Sequence, residues 1–204
     1  VKVRSCEFGP LRVVFDDTVL EPRPWTVLQS RHAARLLEDL PPGPLLELHC
    51  GAGHIGQAAA VWSARPLVQI DDDPSACRWA RDNAAINGVR ATVECVGVHD
   101  FRTETPFALV LADPPYVPSS ETGQFAMDPP HAIDGGPDGL DGIRGCLPIA
   151  AGAVRAGGVV VLQVRGPAQA ARVGAAAEEL DLALELVDTL ATAPDRAIVT
   201  LLRH

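Results

Sequence analysis

Three short stretches carry residues whose types and spacing suit chemistry. The first is Glu47-Leu48-His49-Cys50-Gly51-Ala52-Gly53, where an apolar strand pattern gives way to a pair of glycines. Glycines at 51 and 53 let the backbone approach a ligand closely, and a helix starting behind them offers free N–H groups. In the second, twenty-four residues after Glu47, another strand pattern ends in Asp71-Asp72-Asp73-Pro74. An acid at this spacing and strand end suits the hydroxyls of a ribose, while Asp73 suits a helix cap. The third, Ala112-Asp113-Pro114-Pro115-Tyr116, ends a third apolar strand. Its two prolines remove two backbone donors and hold the turn extended. The Asp113 carboxylate and nearby carbonyls are left as acceptors facing one spot, with Tyr116 as a wall. Such a cluster suits an NH₂ group on a planar substrate, its hydrogens held and its nitrogen aimed.

The elements that must position these stretches alternate. Strands are expected over 45–50, 67–71, 91–96, 107–113 and 159–164, and helices over 54–64, 74–87, 140–155 and 167–180. A Gly/Pro-rich stretch covers 114–139. Ahead of them, residues 11–20 read as a short strand or hairpin turning at Asp16-Asp17. A helix follows over 26–40, with Val27, Ala34, Leu37 and Leu40 near one face. Apolar strands alternating with helices imply a parallel sheet covered on both faces. The last two strands, 182–188 and 197–202, have no helix between them and so form a hairpin. A mostly parallel seven-stranded α/β sheet ending in an antiparallel hairpin is the plan of the Rossmann-like class I methyltransferase fold. One domain over 1–204 is expected, with residues 1–40 capping a cofactor site.

Bulk properties narrow the function. The 204 residues are 47% hydrophobic and 21% charged, ordinary for a soluble globular chain. Net charge is −9 and the seventeen basic residues are scattered, which disfavours nucleic acid as the default partner. The five cysteines (Cys6, Cys50, Cys77, Cys95, Cys146) show neither metal-ligand spacing nor a disulfide framework, so no metal is expected. The first ten residues do not read as a signal peptide and no apolar run reaches a membrane span, so a cytoplasmic protein is expected.

The motifs together carry a resemblance. Asp113-Pro114-Pro115-Tyr116 resembles the (N/D)-P-P-(Y/F/W) motif of amino-methyltransferases. VLEPRPWT (19–26) is similar to the PRP-x-T segment, and AIDGGPDGLDGIRGCLPIAA (132–151) to the GG-x-DGL-x-x-R segment, of the HemK family of release-factor glutamine methyltransferases. With ELHCGAGHIG (47–56) and QIDDDPSACRWARDNAAINGV (69–89), the likeness spans roughly 19–165.

The resemblance implies S-adenosylmethionine as cofactor. By position, His49, Cys50, Gly51, Ala52 and Gly53 would wrap its methionine end, with Glu47 beside them. Asp71, with Asp72, would hold the ribose, Phe101 after Asp100 would flank the adenine, and Thr26 would lie nearby. Asp113, Pro114, Pro115 and Tyr116 would hold the substrate, with Asp113, Pro114 and Tyr116 catalytic. A release-factor-like protein substrate is implied.

Departures from the pattern matter. His49 replaces a glycine, Trp25 replaces an acid, and Asp113 stands where the family has Asn. An ionised Asp only accepts, whereas Asn also donates. That favours an amine without an adjacent carbonyl, on a nucleic-acid base or a small molecule, as the alternative substrate. The family's N-terminal helical domain has no counterpart in these residues. Short eukaryotic relatives without it use a small zinc-binding activator subunit, so an activator or a homodimer is a further expectation.

Overall fold

The computed structural model describes residues 2–204. Its opening hairpin pairs β1 (Arg4–Phe8) with β2 (Leu11–Phe15) antiparallel. The turn falls at Gly9-Pro10, where Gly9 takes a φ of 55°, and not at the expected Asp16-Asp17. Asp16 instead turns the chain after β2, accepting from the Thr18 N–H at 2.9 Å. Helix α1 (Val27–Asp39) follows a single 3-10 turn at Pro24–Thr26.

The buried face of α1 holds the four residues its apolar spacing predicts and is wider than they are, with Val27 and Leu40 packed against the core at its edges. Gln29, Ser30, Ala33, Ala34 and Leu37 are buried, while Val27 and Leu40 are half-buried. Two polar residues enter the core because backbone carbonyls receive them. Gln29 Nε2 donates to Ala112 O at 2.9 Å and Ser30 Oγ to Ile55 O at 2.8 Å. Periodicity scores hydrophobicity and is blind to such partners.

The main sheet has seven strands. They are β3 (Leu45–Leu48), β4 (Leu67–Asp71), β5 (Ala91–Cys95), β6 (Phe107–Ala112), β7 (Val154–Val164), β8 (Leu184–Ala193) and β9 (Arg196–Arg203), in the order β5-β4-β3-β6-β7-β9-β8. Pairings from β5 to β7 are parallel; β9 is antiparallel to both β7 and β8. The expected sheet and hairpin are present. Every residue of β3 and β6 is buried, as strands covered on both faces require. β7 starts five residues before the expected Val159, because a register shift against β6 lets Val154 pair with Phe107.

Helices α2 (His54–Ser63), α3 (Pro74–Asn87), α5 (Asp141–Ala153) and α6 (Gly166–Glu179) connect the strands, and the short α4 (Pro130–Ile133) interrupts the Gly/Pro-rich stretch. Asp73 caps α3, accepting from the Ser75 N–H at 2.7 Å. The chain runs from β3 outward to β4 and β5, then returns to the other side of β3 as β6. Connections therefore leave the C-terminal ends of β3 and β6 in opposite directions, and a crevice opens there. The three chemistry-bearing stretches lie at its rim, following β3, ending β4 and following β6.

Candidate functional site

Two adjoining clefts occupy that crevice. The first, about 760 Å³, is lined by His49, Cys50, Gly51 and Ala52 after β3 and by Asp71, Asp72 and Asp73 after β4. Thr18, Val19, Leu20 and Thr26 from the N-terminal segment wall its other side. The second, about 980 Å³, is lined by Pro114, Pro115, Tyr116, Trp25, Arg196 and others. Thr26, Asp113 and Pro115 line both. Asp113 thus stands at the junction.

The glycine loop is held from several sides. Asp71 accepts from the Gly51 N–H at 2.8 Å through Oδ2 and from the Asp73 N–H at 3.0 Å through Oδ1. Burial pushes its carboxyl upward, opposed by these bonds. Asn83 of α3 donates to both Ala52 O and Val14 O at 2.9 Å, tying the loop to the β1–β2 hairpin. A Cβ placed on Gly51 would meet nothing within 4 Å, so the absent side chain leaves space at the cleft floor. His49 keeps the left-handed backbone a glycine would take, with φ 55°. For a non-glycine residue this costs on the order of 1–2 kcal/mol.

Glu47 is placed elsewhere than the sequence implies. It is buried beneath the loop, where Oε1 accepts from the Gly56 N–H at 2.9 Å and Oε2 accepts from Gln69 Nε2. Gln69 Nε2 also donates to Gly53 O at 3.0 Å. Gly51, Gly53 and Gly56 form a G-x-G-x-x-G spacing, yet the third N–H is spent on this carboxyl and not on a phosphate. Burial pushes Glu47 up to about 8. Between about 4.5 and 8 the folded chain holds a proton that the unfolded chain has released, so stability falls as pH rises through that window. Urea unfolding of wild type and Glu47→Gln at pH 5 and pH 8 checks this. The variant is expected to lose a large part of the decline, the remainder coming from Asp113, and equal declines in both proteins would contradict the assignment.

Asp113 is partly open to the cleft, and desolvation pushes its carboxyl up to about 7. Ionised and neutral forms therefore coexist near neutral pH. The neutral form offers an O–H donor beside a C=O acceptor, as an Asn amide does. Tyr116 is raised as well, by desolvation first and by Asp113 second.

The segment after α4 buttresses the turn that carries Asp113. The Gly135 N–H donates to Val117 O at 2.8 Å and the Val117 N–H to Ile133 O at 2.9 Å. Gln169 Nε2 donates to Tyr116 O at 3.0 Å and Gly139 O at 2.9 Å. Asp138 closes the segment by pairing Arg144 at 2.9 Å and Arg172 at 2.5 Å. A Cβ on Gly135 would stand 2.8 Å from Pro115 O and Tyr116 Cα, both backbone atoms that cannot yield cheaply. Gly135→Ala is expected to cost about 1–3 kcal/mol of stability and to lower turnover by displacing the turn. Chemical denaturation checks the first, and wild-type stability would show that the turn tolerates the methyl group.

Other expected site residues lie outside both clefts. Gly53 faces Ala80 across the tight loop, Asp100 is exposed, and Phe101 is buried in the core. Sequence reasoning missed the second cleft's polar rim. Trp25 lies under the Arg196 guanidinium at 3.9 Å, Arg23 pairs with Asp128 at 2.5 Å, and Arg165 with Glu121 at 2.6 Å. Only Arg23 and Trp25 had a signal, in the PRP-x-T segment. Among the described residues no cluster of His, Cys, Asp or Glu is placed to hold a metal ion, and no helix is long and apolar enough to cross a membrane.

Comparison with known proteins finds similarity to methyltransferases. The methyltransferase small domain family model matches residues 31–128. A release factor glutamine methyltransferase of Mycolicibacterium smegmatis is 34% identical over 166 residues, covering 76% of this chain and 57% of that protein. The chain thus spans less than two thirds of the length of the curated relatives it matches. Among solved structures, the ribosomal protein L11 methylase of Lactobacillus delbrueckii subsp. bulgaricus has a TM-score of 0.67 at 13% identity, covering 93% of this chain and 84% of that one. The Thermus thermophilus 16S rRNA methyltransferase RsmC, in complex with AdoMet and guanosine, has a TM-score of 0.71 at 18% identity, covering all of this chain and 50% of that one. At such identities these structures speak for the fold alone.

Proposed function

We propose that this chain, which is similar to release factor glutamine methyltransferases and has a class I methyltransferase fold, methylates a protein glutamine side-chain amide using S-adenosylmethionine. The observation that carries this reading is Asp113, which stands where the two clefts meet. A cofactor in the first cleft and a planar NH₂ group in the second would come together at that carboxylate.

The first cleft fits the cofactor by its chemistry. Its acids suit ribose hydroxyls and cationic groups, and the open space at Gly51 gives the ligand room against the backbone. When bound, the cofactor supplies an electrophilic methyl group on a cationic sulfonium. Asp71, with Asp72, takes the ribose hydroxyls; His49 through Ala52 line the methionine end; and Thr26 closes the wall. We place the first forty residues as the cap over this cleft within one domain.

The substrate nitrogen is a poor nucleophile because its lone pair is conjugated. Asp113 and the Pro114 carbonyl accept its two hydrogens, orient the lone pair and favour rehybridisation, while Tyr116 and Pro115 hold the plane. Positioning of this kind supplies up to about 7–11 kcal/mol, and a fixed carboxylate stabilises the positive charge growing on nitrogen.

The Asp at 113 supports a second reading, an exocyclic amine of a nucleic-acid base or small molecule. The acidity of the chain weighs against nucleic acid. The PRP-x-T and GG-x-DGL segments and the similarity to release factor glutamine methyltransferases keep glutamine the better reading. An activator subunit or a second copy of the chain is a further proposed partner. The test uses methyl-labelled cofactor and an extract of the protein's own host. Label removed by protease supports the glutamine reading; label removed by nuclease, or passing a size filter, selects the second.

A further inference from the structure

Resting on the cofactor reading of the first cleft, we propose that His54 donates its Nε2–H to the α-carboxylate of S-adenosylmethionine at the N-terminus of α2. His54 is the first residue of that helix, lines the cleft and is only 8% exposed. Its Nδ1 is sealed from solvent and has no hydrogen-bond partner, so Nε2 is the ring nitrogen left for a ligand. The ring is fixed edge-on against Phe8, with centroids 4.7 Å apart at 88°.

The proton belongs on Nε2. A buried N–H without a partner is rarer than a bare lone pair, and the positive end of α2 favours a lone pair on the sealed Nδ1. Burial pushes the imidazole down to about 3, so it stays a neutral donor at working pH.

Charge then selects the ligand group. The rest of the cleft carries Glu21, Asp71, Asp72, Asp73 and Asp113, which outnumber its other histidines, His49 and the exposed His131 that faces Asp73 at 3.9 Å, and make it hostile to an anion. Arg23 also lines it but is engaged by Asp128. The start of α2 is different: its N-cap, Gly53, has no side chain, Glu47 takes the Gly56 N–H from beneath, and the dipole there attracts negative charge. The cofactor has one anionic group, the α-carboxylate. Its ammonium, sulfonium and ribose hydroxyls all suit the acidic walls. His54 is thereby a cofactor-positioning residue.

Calorimetric titration with S-adenosylmethionine and with its decarboxylated analogue tests this without reference to turnover. His54→Phe keeps a ring against Phe8 but removes the donor; His54→Gln keeps an N–H. The Phe variant is expected to bind S-adenosylmethionine about tenfold more weakly than wild type and to bind the decarboxylated analogue within about twofold of wild type. The Gln variant is expected to recover most of the preference. Equal losses for both ligands, or no loss for either, would overturn the assignment. A wild-type protein that binds neither ligand would overturn the cofactor reading itself, which is a distinct result.

Discussion

Asp113→Ala is expected to lower kcat by about 10²- to 10³-fold, the scale on which a fixed polar group aimed at developing charge contributes. Cofactor affinity should stay within about threefold, because the glycine loop and Asp71, not Asp113, form most of that cleft. Single-turnover rates and calorimetry separate the two quantities. The pH profile adds a second check. The carboxylate is the working form, so kcat/KM is expected to rise with pH as Asp113 loses its proton, at a pH below about 7 because a sulfonium cation beside it favours the ionised form. Asp113→Asn keeps an acceptor for the amine and has no proton to lose, so it should retain activity with that rise removed. A wild-type rate falling through the same range would mean that the neutral, Asn-like form works. An active alanine variant would remove Asp113 from the mechanism.

Asp71→Ala carries the second large effect, on binding. Besides the ribose hydroxyls assigned to it, the carboxylate accepts from the backbone of Gly51 and Asp73. Its loss strands two N–H groups and loosens the loop at once. Bonds to charged groups are worth about 1.5–3 kcal/mol each, so cofactor affinity should fall by about 100-fold while kcat at saturation changes little. Asp71→Asn, which can still serve one of the N–H groups, should fall between the two. If the alanine variant bound the cofactor normally, Asp71 would be a brace for the loop and nothing more.

The ends of β3, β4 and β6 were legible in the sequence because each apolar run stops at a residue that packing does not explain. Asp73 as a cap and the terminal hairpin were legible for similar local reasons. Glu47 was not. Whether it faces the cleft or the core depends on its register partner Gln69 across the sheet, and on Gly56 one turn into α2. Gln29 and Ser30 on the buried face of α1 were not legible because they find carbonyl partners far along the chain, at Ala112 and Ile55. Most of the second cleft's rim was invisible for the same reason: Asp128, Arg165 and Arg196 meet Arg23 and Trp25 of the PRP-x-T segment only after folding. The GG-x-DGL segment was recognisable as a pattern, but its work was not. Only the contacts of Gly135 with Pro115 and Tyr116 show that it holds the Asp113 turn in place.

The central claim is methyl transfer to a protein glutamine, and the most direct measurement is mass spectrometry of a purified release factor from the same host after incubation with this protein and S-adenosylmethionine. The account predicts a mass increase of one methyl group, assigned by fragmentation to a glutamine side chain and absent with Asp113→Ala. An unchanged release factor, together with label transferred from the cofactor to a nuclease-sensitive or filterable acceptor, would contradict it.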